Sequence, residues 1–344
     1  MEDQQRMRNP LWQSLSAFVL ICLGVFVSHA ERLPVRQYTV ADGLAQGTVW
    51  GMHQDAHGFL WLATSEGLSR FDGYHFTNYG KKDGLGFYRL YDVVSDRQGR
   101  IWMATGQGVS LLLDATEAAR QGRKFNSFLL TADGKPKGVN DVLRVLFDAE
   151  NRLWCMTYTG LYRAKSTVVT TGEFEHIAEF DVANTPPQLL TDGRGRLWAT
   201  VNSQLRCIEG GNVTEYKLWQ EAGETKGNPD LRWIKGLVEQ TDGRILIATN
   251  KDLYEFIEPV AAHQRGTWRR LPLTLPPQNT VGNIHPATDG GLWIGTNGPL
   301  IRYRDGQQLN YRIGNDPNPF ITLSFLSDRD GNLWIVMLDR KSVV

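Results

Sequence analysis

Aromatic and basic side chains recur in the short segments that enter or connect the apolar runs of this sequence. Three segments are the richest: GFYRLY supplies Phe87, Tyr88, Arg89 and Tyr91, GVNDVLR supplies Asn140, Asp141 and Arg144, and DLRWIK supplies Arg232, Trp233 and Lys235. Shorter segments add Glu66, Gln107, Tyr158, Asn202, Asn250, Lys251 and Asn297. Aromatic faces stack on sugar rings, and arginine holds carboxylate or sulfate through paired N–H donors. These residue types predict binding of a polar, ring-bearing or anionic small molecule, an oligosaccharide among them.

Ten of these residues are the predicted ligand contacts. They are Tyr88, Arg89, Tyr91, Asn140, Arg144, Tyr158, Arg232, Trp233, Lys251 and Asn297. The alternative for the aromatic members Tyr88, Tyr91 and Trp233 is that they pack within the fold and contact no ligand.

Catalytic and metal-binding patterns are missing from the sequence. It contains no G-x-S-x-G, no G-x-x-x-x-G-K-[ST] and no Cys-x-x-Cys. His53 and His57 flank Asp55, but they fall at a strand end and a turn, where that spacing does not put them on one face. The sequence therefore predicts no catalytic residue, no metal and no cofactor. The weak candidates for a general base are His285, Glu66 and His75.

Composition and charge limit the class of partner and the compartment. The 344 residues carry 37 basic and 37 acidic side chains, so no basic surface for nucleic acid is predicted. Residues 1–30 contain Arg6 and Arg8, the apolar run LSAFVLICLGVFV and then SHA, which is typical of an export signal cleaved after Ala30; an uncleaved N-terminal anchor is the alternative. The remainder, 31–344, is predicted to be extracytoplasmic or periplasmic.

Two cysteines follow that signal, Cys155 and Cys207. Each lies in an apolar, strand-like run of a different part of the chain. Two buried free thiols are therefore favoured over a disulfide.

A short phrase repeats along the chain, and it places these candidate residues. Seven copies centre on Trp61, Trp102, Trp154, Trp198, Leu246, Trp293 and Trp334, which are 41 to 52 residues apart. A copy has an apolar strand, a turn that is usually Asp-x-x-Gly, a second strand that carries the tryptophan or, once, Leu246, a tight turn and a third strand. A variable stretch and a fourth short strand follow. Four short antiparallel strands per period of this length predict a blade of an all-β propeller.

The repeated residues have structural roles in this interpretation. A blade cannot bury either face alone, so a large flat side chain in one slot fills the space between neighbouring sheets. The tryptophans are therefore predicted to be core residues. The repeated aspartates are predicted to cap their turns through hydrogen bonds to the backbone.

The ends of the chain predict how the ring closes. The last copy has its first two strands, ITLSFLSD and GNLWIVM, but lacks a fourth, while PVRQYTV near the N-terminus is a strand without a blade. We expect a seven-bladed propeller in which this N-terminal strand completes the last blade, leaving no open sheet edge.

The repeat resembles a known family. The phrase G-[FR]-[LI]-W-[LIM]-[AG]-T-x-x-G-[LV] and the opening YTVADGLAQGTVWGMHQDAHGFLWLATSEGLSRFDG are similar to the two-component-regulator propeller repeat. The resemblance implies an extracytoplasmic input domain of a bacterial membrane sensor. It also implies a second propeller, a membrane helix and an output module further along. The ending VMLDRKSVV departs from that pattern, so the chain is interpreted as the N-terminal part of a longer sensor, with a stand-alone binding propeller as the alternative.

Three functions follow from this resemblance and these residues. The leading hypothesis is a non-enzymatic sensor domain whose ligand shifts the arrangement of domains, or of a homodimer, in the full-length receptor. Its membrane contact would come only through the N-terminal segment or a downstream helix. A propeller lyase of the streptogramin-lyase type and a protein-binding platform are the alternatives.

Overall fold

Four-stranded antiparallel sheets are the repeating unit of the chain. The computed structural model describes residues 31–132, 135–136, 140–169, 171–180, 187–218, 233–259, 266–313 and 321–338. The N-terminal half begins with β1 (Glu31–Arg32). The first sheet contains β2 (Val49–Gln54), β3 (Leu60–Thr64), β4 (Gly67–Phe71) and β5 (Phe76–Tyr79). The second sheet contains β6 (Leu90–Ser95), β7 (Ile101–Thr105), β8 (Gly108–Leu112) and β9 (Phe125–Phe128). A small pair, β10 (Thr131–Ala132) and β11 (Lys135–Pro136), precedes a third sheet of β12 (Val142–Phe147), β13 (Leu153–Thr157), β14 (Gly160–Ala164) and β15 (Phe174–Glu179).

The C-terminal half continues the same order. The fourth sheet contains β16 (Leu189–Thr191), β17 (Leu197–Val201), β18 (Gln204–Glu209) and β19 (Asn212–Lys217), and the fifth contains β20 (Gly236–Glu239), β21 (Ile245–Ala248), β22 (Leu253–Ile257) and β23 (Thr267–Leu271). The sixth contains β24 (Val281–Pro286), β25 (Leu292–Thr296), β26 (Leu300–Arg304) and β27 (Gln307–Arg312), and a hairpin of β28 (Ile321–Ser327) and β29 (Leu333–Leu338) comes last.

One α-helix interrupts the second sheet. Helix α1 (Ala115–Gln121) lies between β8 and β9. Its first turn is capped by the Asp114 side chain, which accepts a hydrogen bond from the Glu117 amide, and it ends at Gly122 in the left-handed conformation.

The first strands of the sheets form a ring. They neighbour one another in the order β2, β6, β12, β16, β20, β24 and β28, and β28 in turn lies beside β2. Each sheet therefore packs face to face against the next around a central channel. This arrangement confirms the prediction of an all-β propeller.

The prediction of seven blades is wrong. The structure has six blades, because the seventh copy of the repeat forms only the hairpin β28–β29, and no third strand lies beside β29 among the described residues. The predicted closure also differs. β1 is a fifth strand of the sixth sheet, next to β27, and does not complete the last copy.

A side-chain contact nevertheless joins the N-terminal segment to the hairpin. Tyr38 stacks on Trp334 with ring centroids 5.5 Å apart and planes 26° apart. Tyr79 of the fourth strand stacks on Trp61 in the first blade at 6.2 Å and 28°. Tyr38 therefore provides the aromatic contact that a residue of the fourth strand makes in the first blade.

The repeated tryptophan is a core residue, as predicted, and it has a partner that the repeat did not reveal. Trp102 and Trp198 are fully buried. In five copies the indole Nε1 donates to the carboxylate six residues earlier, over 2.7 to 3.1 Å; the acceptors are Asp55, Asp96, Asp148, Asp192 and Asp328. The other oxygen of each aspartate accepts backbone N–H groups of its turn, which confirms the predicted capping role.

The two remaining copies show what this pair requires. In the fifth blade Gln240 stands in place of the aspartate and Leu246 in place of the tryptophan, so both residues of the pair are replaced together. In the sixth blade Ala287 stands six residues before Trp293, which is only half-buried. A fully buried indole thus occurs with the aspartate that satisfies its N–H.

The thiols of Cys155 and Cys207 are free and buried, as predicted. Burial raises the pKa of Cys155 well above its usual value and that of Cys207 to about 12. Since the thiolate is the reactive form, we expect alkylation at pH 8 to modify neither residue in the folded protein and both in denaturant. Peptide mass mapping after iodoacetamide treatment measures this. Rapid modification of either thiol without denaturant would contradict it.

The predicted export signal, residues 1–30, lies outside the described residues. Within the part of the chain that the structure describes, no helix is long and apolar enough to cross a membrane.

Candidate ligand site at the channel mouth

Two kinds of loop meet at one end of the ring. The residue entering each first strand bonds to the turn between the second and third strands: Ser65 N donates to Thr48 O, and Asn297 N donates to Thr280 O, both over 3.1 Å. The described parts of the three segments, residues 86–91, 140–144 and 233–235, lead into or begin first strands, so they lie at this end as the sequence analysis expected. We call this end of the central channel the mouth.

β-Bulges interrupt several first strands near their mouth ends. The register shifts in β2, β6, β12, β24 and β28, and the displaced residues are Trp50, Tyr91, Leu143, Gly282 and Leu323. A bulge adds one unpaired residue and redirects its side chain. At Gly282 an added Cβ would lie 2.3 Å from the Thr322 carbonyl oxygen, so only glycine allows this close approach.

A cavity of about 170 Å³ lies among these strand beginnings. We call it the axial cavity. Its walls come from the first strands and turns of several sheets: Trp50, Arg144, Gln188, Lys235, Asn250, Thr280, Val281, Gly282, Ile321, Thr322 and Leu323. One aromatic wall, two cations and several amide or hydroxyl groups therefore surround one space, which suits a polar ligand.

The two cations of the axial cavity have different surroundings. Arg144 Nη1 donates to the carbonyl oxygens of Tyr91, at 3.3 Å, and Leu143, at 3.1 Å. Arg144 also lies near Asp92, whose pKa is raised by burial while the Arg144 charge opposes that rise. The Lys235 ammonium instead lies 5.9 Å from the centre of the Trp233 ring, and burial lowers the pKa of Lys235.

Beside the axial cavity, the second and third sheets form a rim. Tyr91 lies 6.3 Å from Trp50, centroid to centroid. Burial raises the pKa of Asp141, opposed by the nearby Arg89 charge. The pKa of Tyr158 is raised by burial and further by Tyr91 and Asp141. Arg89, Tyr91, Asp141 and Tyr158 are therefore close together.

Two aromatic side chains of the same rim are open to solvent. Tyr88 is 51% exposed and Phe87 is 38% exposed. Exposed aromatic faces of this kind are available for stacking on a ligand.

Three of the predicted ligand-contact residues form hydrogen bonds with the backbone of the loops. Asn140 Oδ1 accepts from Leu130 N, Lys251 Nζ donates to the carbonyls of Pro277 and Asn279, and Asn297 Oδ1 accepts from Thr280 N. Arg232 lies outside the described residues. The structure thus brings Arg89, Tyr91 and Tyr158 close together and places Arg144 beside Tyr91, and ligand contact by all ten residues stays a prediction.

The candidate general bases do not form a catalytic group. His285 is the fifth residue of β24, four positions beyond the mouth, and its Nε2 lies 2.9 Å from Ser327 Oγ. Burial lowers its pKa to about 4. His75 is exposed in the turn between β4 and β5, and only Glu66 lies at the mouth end. Among the described residues, no cluster of His, Cys, Asp or Glu could hold a metal ion.

Known structures share this fold. The extracellular domain of the hybrid two-component system BT3049 from B. thetaiotaomicron is similar, with 22% identity and a TM-score of 0.66 over 90% of this chain and 41% of that one. That of BT4673 from the same organism is similar with 16% identity and a TM-score of 0.69 over 92% and 43%. The chain thus spans about two fifths of those domains. No family model and no curated protein matches the chain.

The same comparison includes an enzyme. Virginiamycin B lyase from Staphylococcus aureus is similar with 13% identity and a TM-score of 0.65 over 90% of this chain and 97% of that one. At these identities the similarities show the propeller fold, and one fold hosts many functions. The two extracellular domains are consistent with the resemblance to the two-component-regulator propeller family.

Proposed function

We propose that residues 31–344 are an extracytoplasmic, non-enzymatic input propeller of a bacterial signal-transduction receptor, which binds a small molecule or oligosaccharide at the mouth. One observation carries the proposal: Trp50 and Tyr91, the unpaired residues of the bulges in β2 and β6, have ring centroids 6.3 Å apart, and Trp50 lines the axial cavity. Residues 1–30 are proposed to be the export signal.

The fold favours signalling by movement of the whole propeller. Interlocked sheets with buried tryptophans form a stiff ring, so ligand binding is proposed to shift the arrangement of the propeller relative to neighbouring domains or a second subunit. Similarity to extracellular domains of two-component systems supports this role.

The recessed mouth argues against the two alternatives. A protein-binding platform would present a flat face, whereas the axial cavity is recessed and includes amides, hydroxyls and two cations among its walls. A lyase needs a base within reach of its substrate, and His285 lies at the far end of its strand from the mouth.

A thermal-shift screen with neutral sugars, acidic sugars and sulfated glycans tests the proposal. A ligand at one hundred times its Kd stabilises the folded state by about 2.7 kcal/mol, which is readily visible. We expect Trp50→Ala and Arg89→Ala each to weaken that binding about tenfold or more, because each removes an aromatic or bidentate contact.

Tyr74→Ala is the matched control. Tyr74 is 84% exposed in the turn between β4 and β5, away from the mouth, so its loss should leave affinity unchanged. A ligand whose affinity survives both mouth substitutions would overturn the proposed site.

A further inference from the structure

The inference rests on the proposed function and names the ligand class. We propose that the axial cavity receives an anionic group, the carboxylate or sulfate of an acidic sugar, with the Lys235 ammonium as its main partner and Arg144 as the second cation.

Lys235 differs from the basic side chains of the blade surfaces because it pairs with no carboxylate among the described residues. Arg196 pairs with Asp192 and Glu258, and Arg270 pairs with Asp252. In the part of the chain that the structure describes, no carboxylate pairs with Lys235 Nζ, and its neighbour is the Trp233 ring.

A half-buried ammonium without a counter-charge is unfavourable by itself. Burial removes water from Lys235, which destabilises its charged form and lowers its pKa. An anion entering the axial cavity would replace the interaction with water that the Lys235 ammonium lost on burial. Anion binding therefore relieves the cost of burying this charge and is favoured.

Arg144 adds a second positive group whose donors are only partly used. Its Nη1 bonds to two carbonyl oxygens, and Asp92 nearby offsets its charge. The uncompensated charge of the cavity therefore belongs to Lys235, which makes Lys235 the main partner.

The size of the axial cavity fits an acidic group better than a whole ligand. Its volume of about 170 Å³ is below the roughly 300 Å³ at which pockets for drug-sized molecules begin. The Trp50 ring provides an apolar wall, and Asn250 and Thr280 offer hydrogen bonds to hydroxyls. The rest of the sugar would extend along the rim toward Arg89.

Calorimetric titration of the full chain with glucose, glucuronate and glucose 6-sulfate, at constant ionic strength, tests the inference. We expect at least one acidic sugar to bind at least tenfold more tightly than glucose, and the two acidic sugars distinguish carboxylate from sulfate. Lys235→Gln should weaken acidic-sugar binding at least tenfold and leave glucose unchanged. Lys82→Gln removes the same charge from an exposed site and should have no effect.

A second measurement follows Lys235 directly with inorganic sulfate. In protein carrying 13C-labelled lysine, the Lys235 signal, assigned from its loss in Lys235→Gln, should shift and its pKa should rise on saturation. If sulfate acts on Lys235 but no sugar binds, the anion site stands and the proposed function fails. If sugars bind at the mouth with equal affinity in Lys235→Gln, the proposed function stands and the anion inference is wrong. An unmoved Lys235 signal at saturating sulfate also overturns it.

Discussion

Asp192→Ala is expected to lower the free energy of unfolding by about 2 to 4 kcal/mol, because it removes the acceptor of a buried indole N–H and of two backbone amides, while Arg196 keeps Glu258 as its partner. The Asp192 side chain is 1% exposed and accepts four hydrogen bonds, from Trp198 Nε1, Arg196 Nε and the amides of Arg194 and Arg196. Its removal leaves the buried indole N–H and these amides without acceptors. Urea denaturation followed by tryptophan fluorescence measures the loss.

The fifth blade suggests a double variant that tests the coupling. Gln240 and Leu246 stand there where Asp192 and Trp198 stand in the fourth blade. Trp198→Leu alone should cost about 2 to 4 kcal/mol, since it leaves a cavity and removes one of the four hydrogen bonds to the buried Asp192 carboxylate. Asp192→Gln with Trp198→Leu should cost at least 1 kcal/mol less than the sum of the two single changes.

Trp293→Leu is the matched control. Trp293 is half-buried and has Ala287 in place of the aspartate, so this substitution removes no such pair and should cost less than Trp198→Leu. Strictly additive losses in the fourth blade would show that the aspartate and the indole stabilise the fold independently.

Much of the fold could be predicted because the residues within one period of the repeat determine one blade. The tryptophan slot, the aspartate turn and the strand order follow from residues within one period, and the buried free thiols follow from the apolar runs around Cys155 and Cys207. The hydrogen bond between aspartate and indole was also visible in principle, as a constant spacing of six residues.

Closure of the ring could not be predicted in the same way. Whether a strand near residue 31 pairs with β27 or with β29 depends on register between segments about 280 to 300 residues apart, and local alternation does not encode that choice. The lone strand PVRQYTV suggested a seventh blade. In the structure that segment supplies the Tyr38 ring to Trp334, and Tyr38 lies outside the named strands.

The candidate site was predictable only at the level of loops. Topology assigns Arg89, Arg144 and Trp233 to the mouth, but a polar side chain that faces a ligand and one that holds its own loop look alike in sequence. Lys251 holds its loop through two carbonyls. Trp50 was missed because the bulge that displaces it leaves no mark in the residue pattern.

The largest pH effect is expected from His285. Its pKa is lowered from 6.5 to about 4 by burial against Phe325, with Nε2 held by Ser327 Oγ. Below about pH 6.5 the imidazole is protonated in the unfolded chain, whereas in the folded chain it is protonated only below about pH 4. The free energy of unfolding should therefore fall by about 2 kcal/mol between pH 7 and pH 5 on this account, and by about 3 kcal/mol by pH 4. His53, lowered chiefly by burial and paired with Ser95, adds in the same direction.

His285→Gln isolates this effect, because glutamine keeps a hydrogen-bonding group for Ser327 and cannot titrate. Urea denaturation at pH 7, 6 and 5 should show a flatter pH dependence in this variant than in the wild type. The lowered pKa values of Asp148 and Asp192 change the free energy of unfolding only below this pH range. The raised pKa values of Asp92 and Asp141 stabilise the folded state as the pH falls, which opposes the effect of the histidines equally in both proteins. His75→Gln, at an exposed histidine, should reproduce the wild-type slope. If His285→Gln also reproduces the wild-type slope, His285 takes up its proton at the same pH in the folded and the unfolded chain, and burial does not lower its pKa.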